Sequence, residues 1–263
     1  MTDLWGPAGV DVTKPHHARV YDYVLGGKDN FAADRKAAEQ LLAIAPDSRQ
    51  LAQAQRAFLV RVVRFIAESG IRQFIDLGTG VPTSPNVHEV VRAVDPSTRV
   101  VYVDFDPMVV GHARARLATK QGVIAVERDI RRPQEILTDP EVQALIDFEQ
   151  PIGVLFLAIL HDVSDDQNPA GIVAQFREQM VPGSFIAIEQ FASDSEPEAR
   201  AQLEEVYANT PWPIAFRARD QIQRFFDGFE LLPPGVVDVE QWRPEVEAKP
   251  TALKVVGGVG RKR

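Results

Sequence analysis

The 263-residue sequence contains no cysteine. That absence removes disulfides, thiolate metal centres and cysteine nucleophiles, and it permits a reducing compartment. Positive charge is also in short supply: 29 Lys and Arg face 37 Asp and Glu, a formal net charge of −8. No global field then draws the chain to nucleic acid or to an anionic membrane. Long apolar runs are missing as well, since Val154–Leu160 falls far short of the about 18 residues of a membrane span. The first residues, MTDLWGPAGVDVT, have neither a basic start nor a long apolar stretch. No signal peptide is visible, and a soluble, cytoplasmic protein is expected. What remains is ordinary: 45% hydrophobic and 25% charged residues, enough for one large α/β domain or two small ones.

Two further absences concern phosphate. Gly27-Lys28 invites a phosphate-loop reading, but Asp29 stands where Ser or Thr belongs and no glycine stands five residues earlier. The second case is RQFIDLGTGVPTSPNV, residues 72–87, around which the chain is organised. Gln73–Leu77 reads as a buried strand and Gly78-Thr79-Gly80 as a tight turn. Ser84-Pro85 reads as a helix start, with Ser84 the N-cap and Pro85 the first helical residue. Strand, glycine turn and helix form the nucleotide-binding corner of an α/β sheet. The third glycine of G-x-G-x-x-G is missing, because position 83 is Thr, and Asp76 sits two residues before the first glycine. A dinucleotide would bring an anionic pyrophosphate against that carboxylate. S-adenosylmethionine carries no phosphate and brings an ammonium and a sulfonium cation, so an acidic corner favours it over a nicotinamide cofactor.

Two later strands carry acids in step with the first. Arg99–Asp104 ends in Asp about one βαβ unit beyond Asp76, the interval at which an acid reaches ribose hydroxyls. Val123–Asp129 ends in a third Asp. Strand four is expected over Ile152–Leu160 and strand five over Ser184–Ile188. Helices are expected at Val87–Val94, from Pro107 to about Lys120, Pro140–Phe148, Pro169–Met180, Ala218–Phe226 and from Ser195, in a capping box with Glu198, to about Ala208. Phe229–Val239 and Ala252–Gly260 are expected as two extended antiparallel segments. Alternating strands and helices give a mostly parallel, doubly wound sheet.

Before this core lie residues 15–34, PHHARVYDYVLGGKDNFAAD, a helix stopped at Gly26-Gly27. Two helices follow over residues 35–69, the second capped by Asp47 and striped by Leu51, Ala54, Phe58, Val62, Phe65 and Ile66. Residues 15–34 are either an entry arm or a lid. As a lid they would place Arg19, Gly27 or Asn30 near the methionine end of the cofactor, whose carboxylate the three acids cannot neutralise. The expected division is an arm over residues 1–54 and a cofactor-binding domain over residues 55–263.

FIDLGTG, VVYVDFDP, VERD, GVLFLAILHDV and VPGSFIAIEQ, in this order, resemble the successive motifs of class I S-adenosylmethionine-dependent methyltransferases. ARVYDYVLGGKDNFAADR, with WRP at Trp242–Pro244, is similar to a bacterial S-adenosyl methyltransferase family long catalogued as a domain of unknown function. The resemblance implies a Rossmann-like sheet of seven strands in the order 3-2-1-4-5-7-6, the last strand antiparallel. It also implies roles. Asp76 would hold the methionine ammonium, and Gly78, Thr79 and Gly80 would offer backbone to the amino-acid part. Asp104 would take both ribose hydroxyls and Phe105 would lie against adenine. Asp129 would accept from adenine N6, with Ile130 giving backbone beside it. The proline-bearing loop Val81–Pro85 departs from relatives that carry a further glycine there.

His161-Asp162, closing strand four, is either a general base or pocket wall beside the methyl group, or a hydrogen-bonded turn. His161, Asp165 and Asp166 match no strong metal-ligand spacing, so no metal is expected. Tyr207, Trp212 and Phe216 either line a substrate mouth or anchor a loop. The reading that follows is methyl transfer to a small-molecule acceptor, because the base-amino motif of nucleic acid methyltransferases is missing after strand four. The alternative is a non-catalytic module that binds S-adenosylmethionine.

Overall fold

The computed structural model describes residues 10–208, 213–244 and 250–263. In chain order the elements are α1 (His17–Val24), α2 (Ala32–Ile44), α3 (Ser48–Glu68), β1 (Gln73–Leu77), α4 (Val87–Val94), β2 (Arg99–Asp104), α5 (Pro107–Arg116) and β3 (Val123–Glu127). There follow α6 (Pro133–Leu137), α7 (Pro140–Leu145), β4 (Gly153–Phe156), α8 (Pro169–Gln179), β5 (Phe185–Phe191), α9 (Pro197–Ala208) and α10 (Arg219–Arg224). The chain closes with β6 (Phe229–Leu231), β7 (Val237–Asp238) and β8 (Val255–Lys262).

The sheet runs β3-β2-β1-β4-β5-β8-β6, with the two-residue β7 also paired to β8. β8 is antiparallel to β5 and to β6, while β1 to β5 pair in parallel. This is the expected methyltransferase order, with β8 in the seventh strand's place. Alternation along each strand sorts side chains onto two buried faces. Phe74, Tyr102, Leu155 and Ala187 join one core with α3, α4 and α9. Ile75, Val101, Val154 and Ile188 join the other with α6, α7, α8 and α10. Asp76 and Glu189 have the parity of the first face, beneath α3. Among the described residues no helix is long and apolar enough to cross a membrane.

Several local expectations are corrected. Pro85 is not helical: α4 starts at Val87 after Asn86, whose N–H donates to the Glu89 carboxylate at 2.6 Å. Ser195 does not cap α9; its hydroxyl donates to Ala192 O and accepts from Lys254 N. Asp47 stands at the N-cap of α3 as expected, but its side chain makes no capping bond and instead accepts from Ala252 N at 2.7 Å. β4 ends at Phe156, because Ala158 adopts φ 57° and turns the chain into a 3-10 turn at Leu160–Asp162. The apolar run continues through that turn because the turn is buried too. Trp242, the first residue of the WRP motif, is fully buried edge-on against Phe58 and Phe65 and belongs to the core, while Arg243 and Pro244 are exposed.

α3 runs unbroken through the expected 54/55 boundary. The arm is tied down by charge. Buried Arg19 donates from Nε to Asp34 at 2.9 Å and from Nη1 to Asp106 at 3.2 Å. Asp34 also accepts from the backbone N–H of His16 and Phe31, and Asp106 caps α5 by accepting from Met108 N at 2.7 Å. Removing one member of such a buried set strands the others. Arg19→Met should therefore lower stability by about 3–5 kcal/mol in urea unfolding. A loss within about 1 kcal/mol, the range of exposed pairs, would show that the tether contributes little.

Candidate functional site

A cavity opens over the carboxyl ends of β1, β2, β4 and β5, where an open α/β sheet binds its ligands. Gly78 and Gly80 form its floor with φ of +72° and +66°, a region glycine enters freely. A Cβ on Gly78 would come within 2.5 Å of Ile159, so the turn has no room for another residue there. Asp76, Thr79, Asp104 and Phe105 line the same wall.

Asp76 is 6% exposed, and no hydrogen bond to its carboxylate occurs among the described residues. Burial pushes it up to about 7; the Arg56 guanidinium opposes this and the Asp104 carboxylate adds to it. Asp104 accepts from Gly80 N and Asp106 N, both at 3.0 Å. Burial raises it to about 6 against the pull of those N–H groups. It therefore fastens the glycine turn as well as facing the cavity.

Asp129 and Ile130 do not line the cavity. β3 ends at Glu127, and the Asp129 carboxylate is clasped by Arg131 through its backbone N–H, Nε and Nη2. Ile130 is buried in the core of the opposite face. Arg19, Gly27 and Asn30 are not in the wall either. Arg19 is consumed by Asp34 and Asp106. Asn30 donates to Asp22 at 2.8 Å and to Gly27 O. Gly27 lets the Asp22 carboxylate approach to where a Cβ would stand. The arm does cover the cavity, through His16, His17, Ala18, Val20, Tyr21 and Val24. Helical spacing turns this face inward and points Arg19 elsewhere.

His161 lines the cavity, 4.8 Å from the Phe191 ring. Burial pushes it down to about 4, so its imidazole is neutral at physiological pH, and Nδ1 has no hydrogen-bond partner. Asp162 hydrogen-bonds His17 Nδ1. Burial would raise this acid, but His17 and His161 outweigh it and its pKa falls. Tyr207 lines the wall edge-on to His17 at 3.9 Å. Phe216 stands behind, 5.2 Å from Phe191, and Trp212 lies outside the described residues.

Sequence reasoning missed Arg56, Gln55 and Glu189, all in the wall. Arg56 donates to the carbonyls of Thr83 and Pro85 at 2.7 and 2.6 Å, and its buried Nε has no partner. Nothing in the sequence separates it from Arg49, Arg61 or Arg64 on the same helix. Orphaned polar atoms gather here: Arg56 Nε, Ser48 Oγ, His17 Nε2 and His161 Nδ1 all belong to cavity-lining residues. Buried polar groups are rarely left unpaired, so these fit a polar ligand. The two buried acids fit a cation and hydroxyl donors.

The family profile described as S-adenosyl methyltransferase matches residues 3–263. A candidate methyltransferase from Thermobifida fusca YX is 40% identical, with TM-score 0.92 and 99% of each chain covered. A DUF574 family protein from Streptomyces avermitilis MA-4680 is 35% identical, also with TM-score 0.92, covering 96% of this chain and 99% of its own. A SAM-dependent methyltransferase from Anabaena variabilis ATCC 29413 is 14% identical, with TM-score 0.52 over 74% of this chain and 78% of its own, a likeness of fold alone. Among curated proteins, none matches the sequence at a significant level. The matched profile spans all but the first two residues, and the two nearer structures are similar end to end, so the chain belongs to the S-adenosyl methyltransferase family, whose cofactor is S-adenosylmethionine.

Proposed function

We propose that the protein methylates a small-molecule acceptor, with α1 as the cover of a shared cofactor and acceptor cavity. The observation that carries this is the pair of buried acids, Asp76 and Asp104, beside the Gly78–Gly80 turn, with Arg56 as the only Lys or Arg in the wall among the described residues. When bound, S-adenosylmethionine supplies a methyl group already activated on a sulfonium, so placement of the acceptor does much of the catalytic work.

The chain's own groups divide the remaining tasks. Asp76 would take the methionine ammonium, and Gly78, Thr79 and Gly80 the backbone contacts around it. Asp104 would accept from ribose hydroxyls while keeping its hold on the turn, and Phe105 would lie against adenine. Arg56 replaces the arm as the group facing the methionine carboxylate, because its Nε is unpaired. His161 is neutral and weakly basic, which suits a hydrogen-bond acceptor that orients the incoming group better than a strong general base. His16, His17 and Tyr21 keep water out from above.

Asp76 supplies the test. Its folded pKa of about 7 lies above the ordinary carboxylate value. It contributes stability fully below about pH 4 and loses that contribution as pH rises through 7, with a slope of up to about 1.4 kcal/mol per pH unit. Without cofactor, Asp76→Asn should be more stable than wild type at pH 8 and show no such gain at pH 4; thermal melts across pH read this. The same substitution should weaken S-adenosylmethionine binding by about 1.5–3 kcal/mol, the range for a hydrogen bond to a charged group, measured by calorimetry. An unchanged dissociation constant would remove Asp76 from the cofactor site.

A further inference from the structure

Glu189 is 1% exposed, lies near the end of β5 and lines the cavity, yet no cofactor motif uses it. One oxygen, Oε1, accepts from Gln55 Nε2 at 2.5 Å. Among the described residues no other donor bonds this carboxylate, which offers about four acceptor sites. A buried acid with one neutral partner costs folding energy, so the fold itself gives no reason for an acid rather than a glutamine. Its place differs from that of Asp76 as well. β4 lies between β1 and β5 and Asp76 stands level with Ala187, two residues before Glu189, so the backbones of the two acids are about 12 Å apart at the usual strand spacing and rise. Phe191, two residues on and on the same face, packs against His161.

The surroundings restrict what can bind there. Asp76, Asp104, Asp162 and Glu189 all line the cavity, against Arg56 alone as a permanent cation among the described residues. His16 and His161 are held down to about 4, chiefly by burial, and add no positive charge at neutral pH. An anionic acceptor would be repelled. Tyr21, Phe191 and Tyr207 offer ring surfaces, which attract cations, and Leu203, Ile214 and Leu253 offer apolar surface.

Building on the methyltransferase reading, we propose that Glu189 is the acceptor-binding acid and that the acceptor is a small amine with an apolar body. The ammonium donates to the Glu189 carboxylate and gives it one proton. The freed nitrogen lone pair forms the N–CH3 bond as the S–CH3 bond breaks, its electron pair remaining on sulfur. The positive charge passes to the methylated nitrogen, and Glu189 returns its proton to solvent when product leaves. Burial pushes Glu189 up to about 8, against the Gln55 hydrogen bond and Arg56, a value suited to exchanging a proton with an amine near neutral pH.

The test is transfer of labelled methyl from S-adenosylmethionine to 2-phenylethylamine, cyclohexylmethylamine and hexylamine, each beside its alcohol and carboxylate isosteres. Label should enter an amine at least 100-fold faster than either isostere. Glu189→Gln, which keeps an oxygen for Gln55, should lower kcat/KM for that amine more than tenfold and leave S-adenosylhomocysteine affinity within twofold. Amine turnover by the wild type should rise along a limb near pH 8 that the variant lacks. Gln55→Leu, removing the donor to the carboxylate, should move that limb to higher pH. No labelled amine, a preferred alcohol or carboxylate, or an unimpaired Glu189→Gln would overturn the proposal. Failure of the wild type to bind S-adenosylhomocysteine would count instead against the methyltransferase reading beneath it.

Discussion

Two carboxylates kept out of water at the ends of neighbouring strands are the constraint on which the rest of this structure depends. Asp104 is held because Gly80 and Asp106 give it their backbone N–H groups, and those contacts also fix the glycine turn and the start of α5. Asp106 then caps α5 and accepts from Arg19, which reaches on to Asp34. An unbroken series of polar contacts thus joins the cavity floor to the arm above it. Asp76 has no such support, and it is the acid that burial raises further. The fold compensates Asp104 internally and leaves the Asp76 carboxylate without a hydrogen-bond partner among the described residues.

That contrast explains how far the sequence could be read. The strands were legible because a parallel sheet covered on both faces needs continuous apolar runs, and the acids at their ends stood out against those runs. The same signal overran at β4, since the buried turn after Phe156 is as apolar as the strand. Asp129 looked equivalent to Asp76 and Asp104 by position. Its neighbour Arg131 folds back onto it, a local choice that strand spacing does not encode. In the arm, polar residue types suggested ligand contacts, but a buried Arg between two Asp residues is also a tether. Only the direction of α1 decides that His17, Val20, Tyr21 and Val24 face the cavity.

Glu189 was invisible for a different reason. Glu-Gln after Ile188 reads as a strand leaving the core, where polar residues normally meet solvent. α3 covers that end of β5 and brings Gln55 onto it. The contact spans 134 residues of chain and has no local signature. Arg56 follows from the same packing, one position further along the helix.

The resulting cavity has an electrostatic logic that survives the reaction. On the proposed reading its charge must suit a cation before and after transfer, because a positive charge leaves sulfur and appears on the acceptor nitrogen. With Glu189 neutralised by the proton it has taken from the acceptor, the negative charge on Asp76 and Asp162 need not reorganise as that positive charge crosses, which is the condition for electrostatic stabilisation of a transition state. The demethylated cofactor has lost its sulfonium charge and keeps less of that attraction, so the same field favours its exchange for a fresh one. His16 and His161, which burial keeps neutral, preserve the field where protonated ones would cancel it. On the proposed reading, the burial of His161 beneath α1 serves the chemistry, and the arm contributes by excluding water.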